Sequence, residues 1–302
     1  MNHRQPCQTS ANLHGDRQLG WQFVGTAEIA AWSIGSGDLT AVFIHGFGEG
    51  SHVWRDISLD CLPNGRVIIV DLPGHGQSAW HADGQYSVDR HAGHVVDLLK
   101  RWKPGNLVIV GHSMGGAIGL RIAARAPAGL AGLVLADYGP TPTPHGVAQL
   151  RQDFQRGNRV FATREEYRAL LAETRPLVKP ERLAMFAEHA LRCREAGGFE
   201  LRRDPAMLRP AGPAAGPDHL ELLAAIGCPV LILRGAFSAI LSAATAEMMA
   251  RTAPRGQMAT VPMAGHGLMA DNPAGFAARV ALFLAGLGAP LAVMTGPSPD
   301  EG

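Results

Sequence analysis

Long apolar runs, paired cysteines and an excess of one charge are all missing from this sequence. Its 302 residues include 27 lysines and arginines and 26 aspartates and glutamates, which leaves a formal net charge of +1 at pH 7. Such a balanced surface gives no reason to expect binding to nucleic acid or to an anionic membrane. No apolar run approaches the roughly 18 residues that a membrane-spanning helix needs. We therefore expect no nucleic-acid partner and no membrane partner.

The cysteines are few and widely separated, and none forms a C-x-x-C pair: they are Cys7, Cys61, Cys193 and Cys228. This pattern predicts reduced thiols rather than a disulfide framework. The first 20 residues are polar and lack the apolar stretch of a secretory signal. Together these features favour a cytoplasmic protein.

Short apolar runs recur along the chain, of the kind that form parallel strands buried on both faces. They occupy residues 41–44, 67–70, 107–110, 133–136 and 230–233. Helix-length segments alternate with them, at residues 87–101, 114–126, 244–252 and 273–287. This alternation predicts an α/β fold with a mostly parallel, twisted sheet flanked by helices. We assign residues 20–140 and 226–288 to this core.

The segment 141–225 breaks the alternation. It is rich in arginine, its apolar spacing is helical, no strand-like run interrupts it, and proline-rich stretches flank it. We predict a helical cap over the carboxyl ends of the strands, where α/β folds bind ligands. Residues 1–19 are expected to form a flexible polar leader, and residues 289–302 a flexible tail.

The pattern G-x-S-x-G occurs at residues 111–115, directly after one predicted strand and directly before a predicted helix. A serine on such a turn is held outward, and the small glycines beside it let the chain turn tightly. The first amides of the helix point toward any negative charge that develops there. Ser113 is therefore the candidate nucleophile.

An oxyanion site needs two converging hydrogen-bond donors. The loop HGFG at residues 45–48 follows the first core strand, and its Phe47 amide is one candidate donor. The Met114 amide, next to the serine, is the other. These two amides are the predicted oxyanion hole.

A serine hydroxyl needs a neighbouring base, and histidine is the side chain best suited to that task near neutrality. Of the 13 histidines, only His266 lies in a small-residue loop after the last strand, from which it could reach Ser113. His91 and His94, spaced i and i+3 on a helix, suggest no third ligand, so we expect them to be solvated. No metal and no organic cofactor is expected.

Four motifs, in this order and spacing, resemble the α/β-hydrolase superfamily: HGFG, DLPGHGQS, GHSMGG and AGH..M.DNP. More narrowly, they resemble its small capped esterase, lactonase and cofactor-free haloperoxidase-like members. The resemblance covers roughly residues 20–288. It implies Ser113 as nucleophile, His266 as base, and Phe47 and Met114 as oxyanion donors. A serine at position 113 argues against the dehalogenase and epoxide hydrolase chemistry of members with an aspartate there.

The usual acid of the triad is missing. Many relatives carry R-G-x-x-S-D-x-L-S after the strand at residues 230–233, and here Ala239 occupies the aspartate position. Loss of that carboxylate costs serine proteases on the order of 10⁴ in kcat. Three explanations stay open. Asp137, in the loop after residues 133–136, supplies the acid; or Ala239 is a deliberate substitution made to trap a complex; or the protein no longer hydrolyses a substrate.

The expected function is cleavage of a carboxylic ester or lactone of a medium-sized hydrophobic substrate through an acyl-enzyme. Phe154, Tyr167, Met185 and Phe186 in the cap are expected to line or cover an apolar pocket. A thioesterase or acyltransferase would use the same serine and histidine, and a non-hydrolytic binding protein or lyase-like catalyst is the alternative that the vacant position 239 leaves. The expected oligomeric state is a monomer or a homodimer.

Overall fold

A mostly parallel sheet of eight strands forms the centre of the fold. The computed structural model describes residues 20–208 and 218–287. The predicted leader 1–19 and tail 289–302 lie outside the described residues, as do residues 209–217 of the predicted cap. The chain's strands are β1 Gln22–Phe23, β2 Ala30–Ile34, β3 Leu39–Ile44, β4 Arg66–Asp71, β5 Asn106–His112, β6 Leu130–Ala136, β7 Leu191–Cys193, β8 Phe199–Leu201, β9 Val230–Gly235 and β10 Gly256–Val261.

The sheet order is β1-β2-β4-β3-β5-β6-β9-β10. The pairs β1–β2 and β2–β4 are antiparallel, whereas the pairs from β4 through β10 are parallel. On β3, Val42 and Ile44 pack on one face while Ala41 and Phe43 pack on the other, and all four are fully buried. Burial on both faces is why these strands read as continuous apolar runs. The predicted fold class is confirmed.

Helices cover both faces of the sheet. Two of them pack on the Phe43 face, α1 Ile57–Cys61 and α10 Pro273–Gly286. Four pack on the Val42 face, α2 Val88–Trp102, α3 Met114–Ala123, α7 His219–Ala224 and α8 Ala243–Thr252. The short helix α9 Leu268–Asp271 precedes α10. Ser87 caps α2 as its sequence predicts, because its hydroxyl accepts the Arg90 amide at 3.2 Å.

Residues 141–208, which follow β6, carry three α-helices and a hairpin. The helices are α4 Pro144–Gly157, α5 Arg164–Thr174 and α6 Pro180–Ala190, and the hairpin pairs β7 with β8. Phe161, Leu191 and Leu201 form a small apolar cluster beneath this hairpin. We call residues 141–208 the inserted segment.

Several elements of the fold were not predicted, among them the hairpin β7–β8 and the strand β10. The hairpin β7–β8 escapes the apolar pattern because its strands are three residues long and carry a cross-strand ion pair between Arg192 and Glu200. Strand β10 escapes it because it lies at the sheet edge, pairs only with β9, and is mostly half-buried. Short and edge strands lack the run of large apolar residues that marks the central strands.

None of the helices in the described part of the chain is both long and apolar enough to cross a membrane. Cys61 and Cys228 are free thiols. Cys193 is disulfide-bonded, so the expectation of reduced thiols throughout is wrong at that position.

The turn from β5 into α3 requires its glycines. A Cβ on Gly111 would lie 2.2 Å from the Gly115 carbonyl oxygen, and a Cβ on Gly115 would lie 2.2 Å from the Ile44 carbonyl oxygen. A Cβ on Gly116 would lie 2.6 Å from the Cβ of Tyr138. The start of α3 is therefore pressed against the ends of β3 and β6, and no larger residue fits without moving the backbone.

We predict that Gly111→Ala destabilises the protein by at least about 2 kcal/mol, since the new methyl group meets backbone rather than a flexible side chain. Gly93→Ala is the matched control. Nothing lies within 4 Å of a Cβ at Gly93, and the residue is inside helix α2, so this change is expected to stabilise by up to about 1 kcal/mol. Urea unfolding of both variants measures the difference. Equal midpoints would contradict the tight packing of this turn.

Candidate active site

A cavity of about 340 Å³ opens where the carboxyl ends of the central strands meet the inserted segment. Ser113 and His266 contribute to its floor, from the loops after β5 and β10. Apolar side chains from the inserted segment form much of its wall, namely Leu150, Phe154, Leu170, Leu171 and Leu177. The predicted nucleophile and base therefore face one shared, largely apolar space.

Ser113 sits in a strained backbone conformation between β5 and α3. Its φ of 52° and ψ of −117° lie outside the ordinary regions for a residue with a side chain. The conformation is held because the Ser113 amide donates to the Ala136 carbonyl at 3.0 Å and the Ser113 carbonyl accepts from Gly116 at 2.8 Å. Strain that the surrounding structure maintains in this way projects the hydroxyl into the cavity.

His266 bridges Ser113 and Asp137. Its Nε2 lies 3.1 Å from Ser113 Oγ, and its Nδ1 lies 2.8 Å from Asp137 Oδ2. When Nδ1 carries the proton and donates it to the carboxylate, Nε2 is left free to accept the serine proton. The structure thus brings together three side chains that are far apart in the sequence.

Asp137 is fully buried at the end of β6. Besides His266, its carboxylate accepts the Gly235 amide at 3.0 Å and the Ser238 hydroxyl at 2.5 Å. Its own amide donates to the Leu233 carbonyl at 2.7 Å. The carboxylate is therefore fixed by the strand β9 and the loop after it.

Ala239 lies in that same loop and lines the cavity. Its carbonyl accepts a hydrogen bond from the Thr143 hydroxyl, and its methyl group offers no polar atom. Of the two positions considered for the acid, the structure brings residue 137 to His266.

The two predicted oxyanion donors lie on adjoining backbone. Gly115 packs against the carbonyl oxygens of Ile44 and His45, so the start of α3 touches the loop that carries Phe47. Within residues 20–208 and 218–287, neither the Phe47 amide nor the Met114 amide has a hydrogen-bond acceptor. Both are free to donate to a bound oxygen atom.

A second acid–histidine pair lies beside the first, and the sequence motifs did not predict it. His112 Nδ1 is 3.0 Å from Glu49 Oε2, and His112 Nε2 is 2.8 Å from the His266 carbonyl oxygen. Glu49 Oε2 also accepts the Gly46 amide at 3.0 Å, and Arg175 of the inserted segment is 3.6 Å from Oε1. A carbonyl only accepts, so His112 must carry a proton on Nε2.

The pKa shifts of the two partners favour the charged form of this pair, although it is almost completely buried. Burial acts to lower the pKa of His112, but the Glu49 carboxylate outweighs it and holds that pKa above its usual value. Burial likewise acts to raise the pKa of Glu49, and the His112 imidazolium, with a smaller contribution from Arg175, holds it well below its usual value. The ion pair ties the loop of residues 45–49 to the loop that carries His266.

The remaining predicted residues divide between cavity and core. Phe154 and Tyr167 line the cavity as expected. Met185 and Phe186 do not: they pack into the main apolar core. Their positions on α6 turn them away from the cavity, which the helical spacing alone does not distinguish. His91, expected to be solvated, is 1% exposed.

No group of three or more histidine, cysteine or acidic side chains in the described residues is arranged to hold a metal ion. His45 is a buried histidine whose hydrogen bonds connect two loops. It donates from Nδ1 to the Gly46 carbonyl at 2.8 Å and accepts the Leu72 amide on Nε2 at 3.0 Å. Since Nε2 accepts an amide hydrogen, the imidazole is in its neutral form, and burial lowers the pKa of His45 in the same sense.

Residues 41–279 match the model of a protein family described as the alpha/beta hydrolase family. The chain belongs to that family. The match spans most of β3 and all the later strands, the inserted segment, Ser113 and His266, so it covers the whole candidate active site.

This hydrolase is similar to Esterase Rv0045c of Mycobacterium tuberculosis, with 29% identity over 257 residues, covering 83% of this chain and 84% of the esterase. It is 27% identical over 250 residues to the 2-(acetamidomethylene)succinate hydrolase of Mesorhizobium japonicum, covering 83% and 89% of the two chains. A solved structure of the M. tuberculosis esterase superposes with a TM-score of 0.74 at 26% identity, covering 90% and 96%. These relatives confirm the predicted superfamily.

We predict that Glu49→Gln destabilises the hydrolase by about 3 kcal/mol, because it leaves the buried His112 imidazolium without its partner. The matched control is Glu165→Gln, which removes an exposed ion pair with Arg168 and is expected to cost at most about 1 kcal/mol. Urea unfolding measures both.

The cost of Glu49→Gln should depend on pH. The His112 contribution is complete below the ordinary histidine pKa of 6.5 and is lost as pH rises through its raised value in the folded state. The Glu49 contribution is complete above the ordinary glutamate pKa of 4.5 and is lost as pH falls through its lowered value. The gap to wild type is therefore widest between these two values, and a gap independent of pH up to strongly alkaline conditions would argue against an ion pair.

Proposed function

We propose that this protein is a serine hydrolase that cleaves a carboxylic ester or lactone through an acyl-enzyme. The observation that carries the proposal is the hydrogen-bonded chain from Ser113 through His266 to Asp137, with its serine end open to a cavity. A nucleophile, a base within hydrogen-bond reach and a group that orients the base are the requirements of nucleophilic acyl transfer.

In the proposed reaction, Ser113 Oγ attacks the carbonyl carbon while His266 Nε2 takes its proton. The carbonyl oxygen becomes an oxyanion that accepts hydrogen bonds from the Phe47 and Met114 amides. Asp137 stabilises the imidazolium that forms. His266 then gives the proton to the leaving alkoxide, and the alcohol departs.

Hydrolysis of the acyl-enzyme repeats these steps with water as the nucleophile. His266 takes a proton from water as it attacks the acyl carbon, and returns it to Ser113 Oγ when the carboxylic acid leaves. The side chains already named accept and return every proton that moves, so these reaction steps require no metal or organic cofactor.

The substrate that fits is medium-sized with an apolar portion. A cavity of about 340 Å³ is at the lower end of the range for small-molecule sites, and the leucines of the inserted segment supply its apolar wall. The similarity to an esterase and to a 2-(acetamidomethylene)succinate hydrolase supports hydrolysis. An Escherichia coli relative, 30% identical over 250 residues with 80% and 92% coverage, is a 2-succinyl-6-hydroxy-2,4-cyclohexadiene-1-carboxylate synthase, so the family framework also serves other reactions.

The test of this function is labelling with a fluorophosphonate, followed by peptide mass spectrometry and rates on a panel of p-nitrophenyl esters, thioesters and lactones. We expect the label on Ser113, none on Ser113→Ala, and turnover of esters or lactones. Faster turnover of thioesters, or acyl transfer to an added alcohol, would redirect the assignment to a thioesterase or acyltransferase. An unlabelled, inert wild-type protein would overturn it.

We predict that Asp137→Asn lowers kcat on a p-nitrophenyl ester by roughly 10³- to 10⁴-fold, because asparagine no longer holds the imidazole in its tautomer or stabilises its charged form. Ala239→Asp is expected to change kcat by less than about tenfold while Asp137 is present. Asp271→Asn is a matched control: that carboxylate also lines the cavity, but it accepts the Gly265 amide rather than His266.

Initial rates of ester hydrolysis by the three variants, with circular dichroism to check folding, decide whether the acid is at position 137 or at position 239. Full activity in Asp137→Asn together with a gain of orders of magnitude in Ala239→Asp would place the acid at position 239 and refute our assignment.

A further inference from the structure

Arg203 is a buried cation in the wall of the cavity. It follows β8, lines the same space as Ser113 and His266, and is 8% exposed. Its guanidinium carbon lies 3.4 Å from the centre of the Phe154 ring, and Nη2 donates to the Phe154 carbonyl at 2.8 Å. The side chain is thus held in one place by stacking and by a single hydrogen bond.

Nothing in the described residues neutralises this charge. No carboxylate of residues 20–208 or 218–287 forms an ion pair with Arg203, and its Nε is buried without a hydrogen-bond partner. A guanidinium has five N–H donors, and only the bond to Phe154 uses one. The neighbouring Asp204 is occupied elsewhere, since it accepts from the Tyr86 hydroxyl at 2.5 Å and the Ala206 amide at 2.9 Å.

An unpaired buried charge is costly. Burial lowers the pKa of Arg203 to about 10, which still leaves the guanidinium charged at neutral pH. If Arg203 only held Phe154 in place, one of its N–H donors would be used and the others would have no role. An anionic ligand in the cavity would accept hydrogen bonds from those other donors.

The backbone holds Arg203 in position before any ligand arrives. The Gly76 amide donates to the Arg202 carbonyl at 2.7 Å, and the Asp204 amide donates to the Gly74 carbonyl at 2.8 Å. The residues on either side of Arg203 are therefore hydrogen-bonded to a core loop, not only to the inserted segment. This arrangement reduces the entropic cost of binding.

Two glycines make room for the guanidinium. A Cβ on Gly48 would lie 3.0 Å from Arg203 Nη1, and a Cβ on Gly157 would lie 3.2 Å from Nη2. Gly48 directly follows Phe47, the proposed oxyanion donor. The positive charge is consequently next to the loop where the carbonyl of the substrate is proposed to bind.

Tyr167 provides a second donor in the same wall. It lines the cavity, and its hydroxyl has no hydrogen-bond partner in the part of the chain that the structure describes. Arg175 also lines the cavity, but its charge is shared with Glu49 at 3.6 Å. Arg203 is thus the cation of this wall with no acidic partner among the described residues.

We propose that Arg203 binds a carboxylate carried by the substrate, so that this hydrolase prefers acidic esters, with an apolar spacer between the carboxylate and the scissile ester. The proposal rests on the serine hydrolase function proposed above and specifies its substrate class. The planar guanidinium is well suited to a carboxylate, and a charge-assisted hydrogen bond of this kind is among the stronger polar contacts.

The test compares matched esters that differ in one charge. p-Nitrophenyl monoesters of succinate, glutarate and adipate carry a terminal carboxylate, and their methyl-capped counterparts do not. We expect wild type to show kcat/KM at least roughly tenfold higher for the acid than for the capped ester at one chain length. Equal or lower kcat/KM for the acids at all three lengths would overturn the proposal.

The variants assign the preference to one residue. Arg203→Met keeps the volume and removes the charge, and it should lower the ratio of kcat/KM for acid over capped ester by roughly 10- to 100-fold. Arg202→Met removes a neighbouring charge whose Nε donates to the Leu191 carbonyl, and it should leave that ratio within about threefold. If Arg203→Met lowers kcat/KM equally for the acid and the capped ester, then Arg203 only positions Phe154 and does not bind the substrate carboxylate.

A binding measurement separates this proposal from the hydrolytic function. Isothermal titration of glutarate and adipate into Ser113→Ala requires no turnover. Heat of binding that is lost in Ser113→Ala/Arg203→Met but kept in Ser113→Ala/Arg202→Met supports the carboxylate site even if no ester is cleaved. Ester cleavage without preference for acids, together with no dicarboxylate binding, refutes the site and leaves the hydrolase function intact.

Discussion

The hydrogen bond between Asp137 and His266 is the contact on which the rest of the site depends. It joins residues 129 positions apart in the sequence, at the ends of β6 and of the loop after β10. Asp137 can form it because β9 and the following loop supply the Gly235 amide and the Ser238 hydroxyl, which fix the carboxylate. The same carboxylate accepts hydrogen bonds from the end of β9, from the loop after it and from His266. The hydrogen bonds that fix this end of the sheet therefore also fix the geometry proposed for catalysis.

A second buried pair, Glu49 with His112, supports the first from the other side. The rings of His112 and His266 are 4.8 Å apart, yet the two histidines are in opposite situations. His112 is enclosed, and the Glu49 carboxylate beside it raises its pKa above the usual value. His266 borders the cavity and keeps Nε2 available for the serine. One acid–histidine pair orients the backbone of the other, and through Arg175 it also connects the inserted segment to the core.

The sequence predicts those parts of the fold and site that local patterns encode. Buried strands such as β3 and β5 are recognisable in the sequence as apolar runs. Ser113 is recognisable because the tight turn around it requires glycines. Strand β10 and the β7–β8 hairpin are missing from that prediction because edge and short strands carry no such run. Glu49, His112 and Arg203 are missing for another reason. Their roles depend on which side chains the fold brings next to them. The absence of a counter-ion for Arg203 among the described residues cannot be predicted from the spacing of residues in the sequence.

The most direct test of the account is nuclear magnetic resonance of the protein with 15N-labelled histidine. We expect a strongly deshielded proton on His266 Nδ1, protected by its bond to Asp137, in wild type and in Ala239→Asp. That resonance should disappear or move sharply upfield in Asp137→Asn. If it persists unchanged in Asp137→Asn, or is seen only in Ala239→Asp, then Asp137 does not hold the histidine and the central claim is wrong.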